Sequence, residues 1–108
     1  MFRKMCKSKI KGLKITGLKR ECSGSIGIDE EILKKADILK GEMVYVLNMQ
    51  TGARFETYAI YEKKGSLDCI LYGPAARLGE VGDEVVILSS CLMEDEKARQ
   101  FKLKVIEV

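Results

Sequence analysis

The sequence predicts a mainly β domain that closes into a small barrel. Most of the chain after residue 24 consists of short β-branched, aliphatic and aromatic segments, which glycine-containing turns separate. One pattern occurs twice, because residues 41–46 and 82–87 both read Gly, acid, any residue, Val, any residue, aliphatic. A short helical stretch precedes each copy, at residues 32–39 and 75–78. Two similar halves are typical of a closed barrel with pseudo-two-fold symmetry, which leaves no exposed sheet edge.

A hairpin is the clearest local element. Residues 42–48 alternate around Val44 and Val46, and a turn at residues 48–52 leads into residues 53–61, which are rich in aromatic side chains. We expect further strands at residues 25–28, 68–71, 84–90 and 101–108.

Two short helices complete the prediction. Asp29 can cap a helix over residues 30–36, because its carboxylate accepts hydrogen bonds from the first free backbone N–H groups. The acidic run Glu94, Asp95 and Glu96 begins a second short helical turn before Arg99, where negative charge suits the helix N-terminus.

Length and composition indicate one domain, residues 1–108. The chain is 46% hydrophobic and 32% charged, has one Pro, and contains no long polar tract. No apolar run approaches the roughly 18 residues of a membrane span. The basic N-terminus runs into further lysines rather than an apolar core, which argues against a secretory signal. We therefore expect a cytoplasmic protein without a membrane partner.

The charge is unevenly distributed. Residues 1–24 carry eight basic side chains and one acid, a sum of +7, whereas residues 25–108 carry eleven bases and fifteen acids, a sum of −4. Clustered lysines can attract nucleic acid. Apolar residues interrupt these lysines, however, as in Lys14-Ile15-Thr16, with the alternation of a strand. We interpret the segment as a basic-faced strand and expect no nucleic-acid partner.

The usual catalytic and metal-binding motifs are missing. The chain has no His, which removes the commonest general base and metal ligand. Its four cysteines (Cys6, Cys22, Cys69, Cys91) form no C-x-x-C pair, so we expect reduced cysteines and no metal. A phosphate loop and a Ser-His-Asp set are also absent. Taken by itself, Gly24-Ser25 reads as an ordinary turn.

Five segments together closely resemble the pyruvoyl-dependent aspartate 1-decarboxylase family: residues 7–10 (KSKI), 24–25 (GS), 36–39 (ADIL), 51–58 (TGARFETY) and 73–78 (GPAARL). The similarity extends over essentially all 108 residues, and the 51–58 block is its most specific part. The resemblance implies a double-psi β-barrel and a homotetramer. It also implies conversion of the small-molecule substrate L-aspartate to β-alanine and CO2 for pantothenate, and hence coenzyme A, biosynthesis.

The resemblance gives Gly24-Ser25 a chemical meaning. In the family the Ser hydroxyl attacks the preceding carbonyl, and the resulting ester eliminates and hydrolyses to an N-terminal pyruvoyl group. A glycine tolerates the backbone conformation that this attack requires. Cleavage would give a β chain of residues 1–24 and an α chain of residues 25–108. The covalently bound pyruvoyl group from Ser25 would form a Schiff base with the amine of aspartate and accept the electrons that CO2 leaves behind.

The resemblance also assigns roles to other residues. Lys9 and Arg54 match the positions that bind substrate carboxylates, and Arg54 can offer a bidentate fork, which we assign to the retained β-carboxylate. Tyr58 matches the family's proton donor. A phenol is protonated at neutral pH and can therefore serve in that role. The remaining substrate-binding positions are Thr57, Gly73, Pro74 and Ala75. From the residues alone, Lys9 and Arg54 would be solvated strand charges and Tyr58 an aromatic filling the barrel.

The chain departs from the family at four positions. Members commonly have Asn at Tyr72, Ala at Pro74, Tyr at Cys22 and His at Lys11. A phenol is larger than an amide and has a single hydroxyl, so Tyr72 puts substrate geometry in doubt. Pro74 also lacks a backbone N–H in a stretch where N–H groups bind substrate.

Two alternatives to a self-processing lyase stay open at this stage. One is a barrel that keeps its Gly24-Ser25 bond intact and binds an acidic partner or nucleic acid through its basic N-terminal region. The other is an inactive homologue that has lost maturation through Tyr72 and Pro74. The sequence also leaves open whether cleavage is spontaneous or needs a maturation factor.

Overall fold

The computed structural model describes all 108 residues, in eight strands, two α-helices and one 3-10 helix. In chain order the elements are β1 (Phe2–Lys14), β2 (Gly17–Lys19), β3 (Ser25–Asp29), α1 (Glu30–Lys35), β4 (Met43–Asn48), β5 (Arg54–Glu62), β6 (Cys69–Tyr72), the 3-10 helix (Gly73–Arg77), β7 (Glu84–Glu94), α2 (Asp95–Gln100) and β8 (Lys104–Glu107). None of the helices has the length and apolar character that a bilayer span requires.

The strands follow the order β2-β6-β3-β5-β4-β7-β1-β8. The strand pairings form two similar sets: β3 runs parallel to β5 as β6 does to β2, and β4 runs antiparallel to β5 as β7 does to β1. The halves meet where β4 pairs with β7, and there Val46 lies opposite Ile87, its own counterpart in the repeated pattern. The mainly β, pseudo-symmetric fold is confirmed, and it is that of a double-psi β-barrel.

Most predicted elements are confirmed, with two changes of length. β4 and β5 form the expected antiparallel hairpin, and the basic N-terminal segment is a strand of 13 residues. β7 continues four residues beyond the predicted end at 90, because β1 pairs with it as far as Glu94. The predicted strand 101–108 forms only over Lys104–Glu107, since those four residues alone pair with β1.

A single apolar core of 18 buried residues fills the barrel. Its largest fully buried members come from both halves, and they are Ile10, Leu13, Ile15, Ile26, Ile28, Leu33, Ile38, Leu71, Ile87, Val44, Val46 and Val85. Cys69 lies among them, and burial raises the pKa of its thiol to about 12. All four cysteines are free of disulfides.

Asp29 joins the helix cap to a neighbouring turn. Its carboxylate accepts hydrogen bonds from the backbone N–H groups of Glu31 (2.9 Å), Gly65 (3.0 Å) and Leu67 (2.9 Å). The predicted helix cap is therefore confirmed. Burial by itself would raise the pKa of this carboxyl, but the hydrogen bonds from Leu67, Gly65 and Glu31 outweigh burial and lower it. The ionised form is thus favoured in the fold.

We expect Asp29→Ala to lower the free energy of unfolding by about 3 kcal/mol, because three backbone donors lose a charged acceptor. Urea denaturation at neutral pH measures the difference. Glu31→Ala, on the exposed face of α1, is the control and should cost less than about 0.5 kcal/mol. Since the folded pKa of Asp29 is lowered, its contribution is present above the unfolded pKa of about 3.9 and is lost as the pH falls. Equal stabilities of the two variants would contradict this role.

Candidate active site

A cavity of about 370 Å³ opens beside the start of β3. Five of the residues singled out by sequence border it: Gly24, Thr57, Tyr58, Pro74 and Ala75. The segment before β3, the middle of β5 and the 3-10 helix supply these residues. The fold thus brings together three segments that lie far apart in the chain.

The Gly24–Ser25 bond lies at the edge of this cavity. Gly24 has a φ of +129°, a conformation that residues with a Cβ rarely adopt. Ser25 is the first residue of β3 and is 6% exposed. Glycine at position 24 is therefore required by the backbone, and the bond lies between an irregular segment and a regular strand.

Gly73 supports the segment that leads to this bond. Its φ is +64°, and a Cβ added to it would overlap the carbonyl oxygen of Cys22 and lie 2.7 Å from the backbone nitrogen of Gly24. The two backbones are in direct contact. Gly73 was predicted to bind substrate, but it is buried and is not among the residues lining the cavity.

Pro74 and Ala75 form a further part of the cavity wall. Pro74 occupies the first turn of the 3-10 helix, where its missing N–H leaves no helical hydrogen bond unmade. Its ring lies close to Gly24, since a Cβ on Gly24 would be 3.5 Å from the proline Cδ. Ala75 is buried and accepts a hydrogen bond from the N–H of Leu78 (3.0 Å). Pro74 therefore replaces a backbone donor with an apolar ring beside the Gly24–Ser25 bond.

Thr57 and Tyr58 project from opposite faces of β5, as alternation along a strand dictates. Thr57 is half-buried and lies opposite Val44, whereas Tyr58 lies opposite Met43 and is 40% exposed. Both border the cavity. The phenol of Tyr58 is thus accessible to a small molecule bound there.

Lys9 and Arg54 do not line the cavity of a single chain. Arg54 is exposed at the start of β5, and Lys9 is half-buried in β1. The strand registers place Lys9, Leu88, Tyr45 and Glu56 in one row across β1, β7, β4 and β5. Lys9 is thus three strand spacings from Glu56, about 14 Å along the sheet, and Arg54 lies two residues before Glu56 on β5. One chain therefore leaves its two predicted carboxylate-binding cations apart.

Half of the cavity lining was not among the predicted site residues, namely Ser23, Met43, Phe55, Glu56 and Leu78. Phe55 and Glu56 lie inside the specific 51–58 block, so that block indicated their position. Met43 lines the cavity because the hairpin register places it opposite Tyr58. Its position depends on the register, which the hydrophobic alternation alone does not specify.

The other departures from the family pattern lie outside the cavity. The Tyr72 hydroxyl donates to Glu62 Oε2 at 2.6 Å, and burial together with this bond raises the pKa of Tyr72 to about 12. Cys22 is exposed, and its carbonyl lies against Gly73. Lys11 forms an ion pair with Glu107 of β8 (3.7 Å). None of the three side chains borders the cavity.

Known proteins resemble this chain over its whole length. A family model described as aspartate decarboxylase matches residues 1–108. The aspartate 1-decarboxylase of Desulfitobacterium hafniense (strain DSM 10664 / DCB-2) is 50% identical over 108 residues, which cover 100% of this chain and 85% of that protein. That of Thermoanaerobacter pseudethanolicus is 47% identical over 108 residues, covering 100% and 92%. That of Campylobacter jejuni (strain RM1221) is 45% identical over 104 residues, covering 96% and 82%. The chain belongs to the aspartate decarboxylase family.

Proposed function

We propose that this chain is an L-aspartate 1-decarboxylase, a lyase that makes β-alanine and CO2 and so provides β-alanine for pantothenate synthesis. The observation that carries the proposal is the Gly24–Ser25 bond at the edge of a cavity that Thr57 and Tyr58 also border. Family membership over residues 1–108 supports it. We place the enzyme in the cytoplasm, where aspartate is available.

Maturation begins in this proposal with attack of the Ser25 hydroxyl on the carbonyl carbon of Gly24. The C–N bond between the two residues breaks as an ester forms. Elimination then releases the Gly24 carboxylate, and hydrolysis releases ammonia and leaves a pyruvoyl group at residue 25. The products are a β chain of residues 1–24 and an α chain of residues 25–108. Long pairing of β1 with β7 supports continued association of the two.

The residues around Ser25 fit a pyruvoyl group. Gly24 adopts a positive φ, and the missing Cβ of Gly73 lets residues 22–24 pass directly against the 3-10 helix, which holds the Gly24–Ser25 bond at the edge of the cavity. When present, the group supplies a conjugated carbonyl that binds an amine and accepts an electron pair. Ser25 is its source, and the adjoining cavity of about 370 Å³ can accept a small amino acid.

Other side chains of this protein bind the substrate and transfer a proton to it. Thr57 offers a hydroxyl to the carbonyl at the cleavage site and to substrate. Tyr58 holds the proton on its hydroxyl oxygen and returns it to the α-carbon of the substrate after CO2 leaves. Pro74 and Ala75, which line the cavity, border the amino acid, and Gly73 holds the backbone that precedes them against residues 22–24. Buried surroundings at Ser25 and Ala75 limit the access of water.

Substrate carboxylates require cations. Arg54 binds the retained β-carboxylate through its planar guanidinium, because tight binding of the departing α-carboxylate would stabilise the ground state. Lys9 supplies a second positive charge. Since one chain leaves Lys9 and Arg54 outside the cavity lining, we propose a homotetramer in which neighbouring copies complete each site.

Intact-protein mass spectrometry of the freshly purified chain tests the proposal. We expect fragments of 24 and 84 residues in place of the 12.1 kDa precursor, the larger with a hydrazine-reactive carbonyl at its N-terminus. The cleaved protein should then release β-alanine from L-aspartate. Ser25→Ala is the control, and it should stay whole and inactive.

The other outcomes separate the alternatives. Cleavage only after addition of extract from a bacterium with an active relative would add a maturation factor and retain the enzyme. A chain that stays whole under both conditions and forms no β-alanine would contradict the proposal. Salt-dependent binding of DNA by that intact chain would instead support a binding module.

A further inference from the structure

A carboxylate and a phenol meet across the strand that begins with Ser25. β3 lies between β5 and β6 in the sheet. Glu62 is the last residue of β5 and Tyr72 the last residue of β6, yet the Tyr72 hydroxyl donates to Glu62 Oε2 at 2.6 Å. The two side chains therefore reach over β3 from opposite sides.

Gly27 makes room for this contact. A Cβ added at Gly27 would overlap the Glu62 carboxylate, so that carboxylate occupies the space directly above the glycine. Gly27 is the middle residue of β3, two positions after Ser25. The hydroxyl of Tyr72, bonded to the carboxylate, therefore lies about 7 Å along the strand from Ser25.

The Cβ atom of Tyr72 nevertheless lies beside the scission site. Tyr72 and Ser25 are directly opposite in the antiparallel β3–β6 ladder. Opposite residues point to the same face, with Cβ atoms about 5 Å apart. The residue after Tyr72 is Gly73, which contacts the backbone of Cys22 and Gly24. A phenol turned toward Ser25 would therefore occupy the space in front of that residue.

Two groups hold the phenol in its present direction. Glu62 accepts a hydrogen bond from the Tyr72 hydroxyl, and the ammonium of Lys19 lies 5.9 Å from the ring centroid. A phenol is protonated at neutral pH and can donate, and the raised pKa of Tyr72 extends this to higher pH. Without Glu62 the ring can adopt other staggered rotamers, including ones directed toward Ser25.

We propose that Glu62 is a positioning residue that holds the Tyr72 phenol over Gly27 and so keeps the approach to Ser25 open for scission and for substrate. The inference rests on the proposed function. Glu62 touches neither substrate nor the reacting atoms, and it acts through Tyr72. Glu62 needs only to accept a hydrogen bond from Tyr72, so the side-chain oxygen of Gln at this position is sufficient to hold the phenol.

The test compares Glu62→Ala, Glu62→Gln, Tyr72→Phe, Tyr72→Ala and the double variant Glu62→Ala/Tyr72→Ala. Mass spectrometry gives the rate of scission, and steady-state assays of cleaved protein give KM and kcat for L-aspartate. We expect Glu62→Ala and Tyr72→Phe, which both free the ring, to slow scission about tenfold and to raise KM more than they lower kcat. Glu62→Gln should behave like the unaltered protein.

The double variant distinguishes positioning from general support of the fold. With the ring removed by Tyr72→Ala, we expect Glu62→Ala to have no further effect on scission or KM. Glu96→Ala, an exposed change of the same type on α2, is the matched control.

Three results would overturn the inference: unchanged scission and KM in Glu62→Ala, an equal loss in the Tyr72→Ala background, or a Glu62→Gln variant as impaired as Glu62→Ala. If Glu62→Ala does not fold, Tyr72→Phe tests the same tether, and normal scission in that variant would overturn it. Failure of the proposed function is a separate result, since the unaltered chain itself would then remain whole and inactive.

Discussion

Tyr58→Phe is expected to cleave normally at Gly24–Ser25 and to lose between about 10²- and 10⁴-fold in kcat for aspartate decarboxylation. The ring of Tyr58 borders the cavity and lies opposite Met43, and Phe preserves both contacts. Only the hydroxyl is lost, and with it the proton destined for the substrate α-carbon. Because that proton is needed after CO2 leaves, the change should affect turnover more than KM.

Cleavage and turnover are measured separately for this variant. Mass spectrometry follows the appearance of the two fragments, and β-alanine formation gives kcat. Tyr61→Phe is the matched control, since Tyr61 lies on the same strand and packs against the core. It should keep full activity. Full kcat in Tyr58→Phe would remove Tyr58 as the proton donor, and an uncleaved Tyr58→Phe precursor would place it in maturation instead.

Local chemistry explains which elements the sequence predicted. Asp29 precedes a run of helix formers, and its carboxylate satisfies the N–H of Glu31 as a cap should. The β4–β5 hairpin follows from alternation on both sides of a turn centred on residues 49–52. In each case the deciding contacts lie within a few residues of one another, so a short window of sequence contains them.

Contacts between distant segments explain what the sequence did not predict. Residues 101–103 have the composition of a strand, but they form no strand pairing, so β8 begins only at Lys104. Glu62 and Tyr72 are ten residues apart, and their hydrogen bond depends on a third strand with glycine at position 27. The family resemblance assigned Gly24, Thr57 and Tyr58 to one site, and the fold brings all three to the same cavity.

The contact between Gly73 and the segment before Ser25 leads to a second large effect. We expect Gly73→Ala to remain a 12.1 kDa precursor, with scission slowed by at least about 100-fold. The new Cβ would overlap the carbonyl oxygen of Cys22 and crowd the nitrogen of Gly24, and both contacts are with backbone rather than a flexible side chain. The segment must move, and the Gly24 carbonyl moves with it, away from the Ser25 hydroxyl.

Gly73→Ala would also strain the backbone, because Gly73 has a positive φ. The control must therefore carry the same strain without the overlap. Gly52 has a φ of +76° and no heavy atom within 4 Å of an added Cβ. Gly52→Ala should therefore lose about 1 kcal/mol of stability for its left-handed conformation and still cleave at the normal rate. Mass spectrometry of both variants over the same incubation gives the comparison. Equal cleavage of the two would mean that the Cys22–Gly24 segment can shift without loss of the attacking geometry. Cleavage of Gly52→Ala but not of Gly73→Ala would show that scission depends on the close packing of Gly73 against the Cys22–Gly24 backbone.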